Sequence, residues 1–141
     1  MRGWVFAAVL AIASPAGAVY PEDPGDAELA ALRDRIEAGA YDSAIAALDA
    51  RLATEPQNAD ILTLLGYAWR KSGDFTRGRT YYDRALAINP VHLGALEYLG
   101  EMEVQLGRMA EAQALLARLE RACPTGCEEL DELRAAIAAT R

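Results

Sequence analysis

"LLGYAWRKSGDFTRGRTYYDRALAINP", residues 64–90, combines apolar residues, small residues and turn-forming pairs at regular intervals. Its glycine and proline positions recur along the chain at one constant interval. The recurring residues are Gly39, Gly73 and Gly107, and Pro56, Pro90 and Pro124. Because a constant period of a few tens of residues is typical of stacked structural units, the sequence predicts a repeat protein.

At this period the chain divides into three units, 25–58, 59–92 and 93–126. The middle unit has small residues at Gly66 and Gly78, where two crossing helices would need close approach. Its large apolar and aromatic residues are predicted to fill the core beside them: Leu62, Leu65, Trp69, Phe75 and Tyr82. This pattern resembles the tetratricopeptide repeat. The resemblance implies an all-α fold, an α-solenoid of three helical-hairpin repeats.

Residues 127–141 follow the third unit and include "CEELDELRAAIAAT". Leu130, Leu133 and Ile137 recur at spacings of three and four, which gives one apolar stripe on a helix. Such a helix covers the exposed face of the last hairpin in a solenoid. We therefore predict a C-terminal capping helix over 127–141.

The N-terminal segment, 1–18, has the order expected of a secretory signal peptide. Arg2 precedes an apolar run over 4–13, and Ala16-Gly17-Ala18 forms a cleavage site. A run of about ten residues is short of the roughly 20 that span a bilayer. We therefore predict cleavage after Ala18, a short lead over 19–24, no stable membrane anchor after cleavage, and a periplasmic or secreted location.

Charge and motif content argue against several classes of function. The net charge is −7, with 21 acidic and 14 basic residues, which disfavours a nucleic-acid partner. His92, the single histidine, is predicted to be a solvated surface residue, and the sequence has no glycine-rich phosphate loop or zinc-protease motif. The chain is therefore predicted not to be an enzyme and to need no cofactor.

The two cysteines, Cys123 and Cys127, flank a Pro-Thr-Gly turn. An even count in an exported protein favours a disulfide, which would fix the capping helix to the third repeat. Two thiolates also bind soft ions such as Cu(I), so a thiol or metal-handling role stays as an alternative. With no further ligands nearby in the sequence, no metal site is predicted.

The resemblance implies an interaction module that binds a protein or peptide in a concave groove lined by the first helix of each unit. The family's positions for that groove give these candidate partner-binding residues: Arg33, Tyr67, Arg70, Lys71, Glu97, Glu101 and Gln105. The basic residues among them are expected to pair with carboxylates of an extended partner. A solvated face is the simpler interpretation of each. A structural, weakly self-associating component of an envelope assembly is the other alternative.

Overall fold

The computed structural model describes residues 24–140, which form seven α-helices and, within that range, no strand. The helices are α1 Pro24–Glu37, α2 Tyr41–Thr54, α3 Ala59–Lys71, α4 Phe75–Ile88, α5 Leu93–Gln105, α6 Met109–Ala122 and α7 Glu128–Ala138. The predicted signal peptide, 1–18, and residues 19–23 of the predicted lead lie outside the described residues. Pro24 is the first residue of α1.

The helices pack as three consecutive hairpins followed by α7. Helices α1, α3, α5 and α7 contact one another in sequence, and we call them the inner helices. Helices α2, α4 and α6, the outer helices, pack on the inner ones and, within residues 24–140, not on each other. This arrangement confirms the predicted all-α helical-repeat solenoid. None of the described helices is long and apolar enough to cross a membrane.

The hairpin turns explain the constant period of the sequence. Gly39, Gly73 and Gly107 each follow an inner helix and have φ of 82°, 97° and 71°. This left-handed conformation ends a helix at little cost only for glycine. The outer helix then begins two residues later in each hairpin. The repeated glycine therefore sets the short turn that makes each pair of helices antiparallel.

Small residues stand where the helices approach most closely. A Cβ atom added to Gly66 would lie 2.6 Å from the ring of Tyr82, which is fully buried. A Cβ added to Gly100 would lie 2.6 Å from a methyl group of Leu133, on α7. Since real Cβ atoms do not approach this closely, any larger residue at either crossing would force the packed side chain to move. Gly100 in particular allows α7 to pack directly on α5.

Apolar residues of the helices form two buried clusters. One cluster joins the first hairpin to α3 through Ile36, Leu48 and Leu65. Leu130, Leu133 and Ile137 of α7 belong to a second cluster, which α3 to α6 share. The apolar stripe of the last helix is thus buried against the third hairpin. The polar side of α7 lies at the edge of the face formed by the inner helices.

Candidate partner-binding groove

A cavity of about 610 Å³ opens on the face formed by the inner helices. Twelve described residues line it, and six of them are glutamates. The glutamates are Glu37, Glu97, Glu101, Glu128, Glu129 and Glu132, and Arg33 is the one basic residue among the twelve. We call this cavity the groove. Three of its glutamates belong to α7, so the groove continues past the third repeat onto the capping helix.

Two stacked tyrosines form a wall of the groove between the second and third repeats. Tyr67 of α3 and Tyr98 of α5 have ring centroids 4.5 Å apart and an interplanar angle of 15°. The Tyr67 hydroxyl donates to Oε1 of Glu37 on α1. Burial raises the pKa of Tyr98 to about 12, and burial and the Glu37 bond raise the pKa of Tyr67 as well. Both hydroxyls therefore stay protonated at neutral pH.

Arg70 lies beneath this tyrosine pair and is only 5% exposed. Its Nη2 lies 2.8 Å from Oε2 of Glu101, and its Nη1 donates to the carbonyl of Tyr98 at 3.1 Å. The guanidinium carbon lies 5.2 Å from the centroid of the Tyr67 ring. The sequence predicted that Arg70 pairs with a carboxylate of a partner. In the structure its charge is already paired with Glu101, and this ion pair joins α3 to α5.

Lys71 is similarly engaged at the next position of α3. Its Nζ lies 3.7 Å from Oε2 of Glu37 and 5.8 Å from the centroid of the Tyr67 ring. This pair bridges α1 and α3, as the pair of Arg70 and Glu101 bridges α3 and α5. Two of the three basic residues predicted to bind a partner thus already pair with glutamates of a neighbouring repeat.

Glu97 is the most unusual carboxyl of the groove, because it is only 4% exposed. Burial raises its pKa to about 9, and the carboxyl of Glu132 on α7, which is in hydrogen-bonding contact with it, adds to the rise. Glu97 therefore holds a proton at pH 7 and lies against another carboxyl. Among residues 24–140, no lysine, arginine or histidine nitrogen forms an ion pair with Glu97, Glu128, Glu129 or Glu132.

A smaller cavity of about 280 Å³ adjoins the groove toward the N-terminal ends of α3 and α5. Arg33, Gly94 and Tyr98 line both cavities. His92 caps α5 by accepting from the amide of Ala95 at 3.1 Å, and its Nε2 lies 2.7 Å from Oδ1 of Asp60. The sequence-based view of His92 as a solvated residue is thus replaced by a capping and pairing role.

The structure brings four of the seven predicted site residues into the groove, namely Arg33, Tyr67, Glu97 and Glu101. Arg70 and Lys71 do not line it, and Gln105 is exposed at the end of α5. Sequence reasoning missed Tyr98 and the three glutamates of α7. The signal for these glutamates was present, because positions 128, 129 and 132 lie on one side of the predicted helix, beside its apolar stripe.

Cys123 and Cys127 flank the turn that joins α6 to α7. Their sulfurs lie at disulfide-bonding distance, and their Cα atoms are 6.1 Å apart. Gly126, between them, has φ of 95°. In the part of the chain that the structure describes, no group of three or more His, Cys, Asp or Glu side chains is arranged to hold a metal ion.

Comparison with known proteins agrees with this architecture. The tetratricopeptide repeat family matches residues 29–92 and 70–126, and the chain belongs to this family. Its fold is typically a non-catalytic scaffold for protein–protein interaction. Cellulose synthase 2 operon protein C of Komagataeibacter xylinus is 32% identical over 117 residues, which are 82% of this chain. The chain spans only 9% of the length of that relative.

A solved structure supports the same fold. The first TPR of Spaghetti (RPAP3), bound to the HSP90 peptide SRMEEVD, is similar with a TM-score of 0.65. The match covers 81% of this chain and 91% of that chain, at 23% sequence identity. At this identity the similarity concerns the fold alone.

Proposed function

We propose that this protein is a periplasmic adaptor that holds an extended segment of a partner protein in the groove. The observation that carries the proposal is the cavity of about 610 Å³ on the inner helices, walled by the stacked Tyr67 and Tyr98. Concave sites with aromatic surfaces and a few placed polar groups are typical of ligand recognition. The solved TPR structure of similar fold is bound to a peptide, which supports a peptide segment as the occupant.

The location rests on separate support. The predicted signal peptide over 1–18 would export the chain. We expect the protein in the periplasmic fraction after osmotic shock, with an N-terminus at Val19 by intact mass. A full-length chain retained in the cytoplasmic fraction would contradict the periplasmic part of the proposal. It would not test the binding of a partner in the groove.

Gly94 offers a way to block the groove without disturbing the helix that carries it. It lines both cavities, and a Cβ atom there would meet its nearest neighbours at 3.7 Å and 3.8 Å, which is ordinary contact. The backbone at position 94 therefore accepts a side chain, and Gly94→Trp is designed to place an indole in the groove; circular dichroism of the variant checks that the helices are retained. Replacing a helical glycine also favours the helix.

The test is site-specific photo-crosslinking in cells. A photoreactive amino acid placed at Ala135, an exposed groove residue of α7, should capture a partner protein. The same amino acid at Asp49, exposed on the outer helix α2, is the matched control. We expect an adduct from Ala135 that disappears when Gly94→Trp is added. Equal adducts from both positions, or an Ala135 adduct that persists with Gly94→Trp, would show that the groove is not the binding surface.

A further inference from the structure

We propose that the segment held in the groove is basic, and that one of its lysine or arginine side chains inserts between Glu97, Glu132 and the ring of Tyr98. This inference rests on the proposed function and specifies the chemistry of the partner. It reverses the sequence-based expectation, in which basic residues of this chain would bind a partner's carboxylates.

The first argument is the charge that remains in the groove after internal pairing. Glu37 is matched by Lys71 at 3.7 Å, and Glu101 by Arg70 at 2.8 Å. The other four groove glutamates have no basic partner among residues 24–140. Three of them, Glu128, Glu129 and Glu132, lie on α7, and the fourth, Glu97 on α5, is protonated in the free protein. Arg33, at the opposite side on α1, is the only basic residue among the described residues that line the same space. The α5–α7 end of the groove is therefore strongly acidic.

The second argument is the burial of Glu97. Buried carboxyls are normally paired with a cation or with several donors, because removing them from water is costly. Glu97 is only 4% exposed, lines the cavity, and has another carboxyl, that of Glu132, as its contact. An ammonium or guanidinium group entering from the groove would favour loss of the proton that Glu97 holds in the free protein. It would then supply a counter-charge to both carboxylates and donate charge-assisted hydrogen bonds to them.

The third argument is the aromatic wall. Tyr98 lines both cavities, and its ring stacks on Tyr67. Aromatic faces attract cations, and this pair already has the guanidinium of Arg70 within 5.7 Å of the Tyr98 centroid. A second cation from a partner would meet a surface of the same kind together with the unmatched glutamates. An acidic segment would instead meet repulsion from them.

The experiment selects ligands without assuming their sequence. A random heptapeptide library displayed on phage is selected on the purified protein, after counter-selection on Gly94→Trp. We expect lysine or arginine to rise at least threefold in frequency at one or more positions, with aspartate and glutamate depleted. A pool that depends on an open groove but shows no basic enrichment would overturn this inference and leave the proposed function standing. If the wild type retains no more phage than Gly94→Trp, both this inference and the proposed function are wrong.

Two charge-matched variants then test the glutamates with the selected peptide. The groove triple is Glu128→Gln, Glu129→Gln and Glu132→Gln, and the outer triple is Asp49→Asn, Asp83→Asn and Glu111→Gln, at exposed or partly exposed positions. Measured by fluorescence polarisation, the Kd should rise at least about tenfold in the groove triple. It should stay within about twofold in the outer triple, since that triple changes only the distant charge. Equal weakening in both would contradict a specific acidic site.

Arg33→Gln is a control for the possibility that the groove triple loses peptide binding only because it folds poorly. Arg33 is exposed and lines the groove, so removing its charge makes the cavity more acidic. The selected peptide should bind Arg33→Gln severalfold more tightly than the wild type, a change that a damaged fold does not produce. Weaker binding to this variant would overturn the inference.

Discussion

Glu97→Gln is expected to make the protein more stable, by an amount that depends on pH. In the folded chain burial raises the pKa of Glu97 from 4.5 to about 9. Below pH 4.5 the group is protonated in both states and contributes nothing. Between these pKa values the unfolded chain releases a proton that the folded chain keeps, so the stability of the wild type falls as pH rises.

The size of the effect at pH 7 follows from the same values. The pH lies 7 − 4.5 = 2.5 units above the ordinary pKa, and each unit corresponds to about 1.36 kcal/mol. Keeping Glu97 protonated in the fold thus costs about 3 kcal/mol. Glutamine has the same shape, carries no titratable proton, and its amide donates to Glu132 in place of the carboxyl. The variant should therefore exceed the wild type by up to about 3 kcal/mol at pH 7.

Urea unfolding followed by circular dichroism at pH 5, 7 and 8.5 measures this difference. The gap in unfolding free energy between Glu97→Gln and the wild type should be small at pH 5 and widen steadily to pH 8.5. Glu111→Gln, an exposed change on α6, is the control and should show no such trend. A gap that is independent of pH, or a wild type more stable than the variant at pH 7, would refute the reasoning about burial.

Two further predictions concern the packing of the solenoid and its last turn. Gly66→Ala should destabilise the protein by about 1–2 kcal/mol, because overpacking against the buried Tyr82 outweighs the gain in helix propensity. Gly100→Ala should also destabilise the protein, at the contact of α5 with α7. A higher melting temperature than the wild type in both variants would contradict the argument from close approach. Reducing the Cys123–Cys127 pair should lower the unfolding free energy by about 2 kcal/mol if a loop of this length is closed by a disulfide, as measured by urea unfolding with and without a phosphine reductant. The double serine variant should be insensitive to the reductant, and a wild type equally insensitive would show that no disulfide forms.

The fold was predictable because its determinants are local. A glycine that takes positive φ three times at the same interval ends three helices in the same way. Gly66 and Gly78, close together in sequence, identify the crossing within one hairpin. Each of these constraints acts within a single unit, so the repeating sequence pattern carries it completely.

The charge of the site was less predictable because it depends on contacts between units. The position of Arg70 on α3 indicated an inner face, but the sequence does not say that Glu101, one unit later, lies within 2.8 Å of it. In the sequence Glu97 cannot be distinguished from a surface glutamate, and its burial is visible only in the packed structure. Such cross-unit distances are set by the stacking of the repeats, which no motif of one repeat encodes.

The repeats and the capping helix contribute different properties to the groove. The pairs Lys71–Glu37 and Arg70–Glu101 each join neighbouring inner helices, so the opposite charges of the repeats largely cancel where the units meet. Helix α7 packs on α5 as the first helix of another unit would, yet its groove-facing Glu128, Glu129 and Glu132 have no basic partner on the described inner helices. The three repeats therefore build the shape of the groove, and the unmatched side of α7 gives it its charge. It follows that reversing the charges of these three glutamates should redirect the groove toward acidic segments, while the core, which contains Leu130, Leu133 and Ile137 of α7, stays intact.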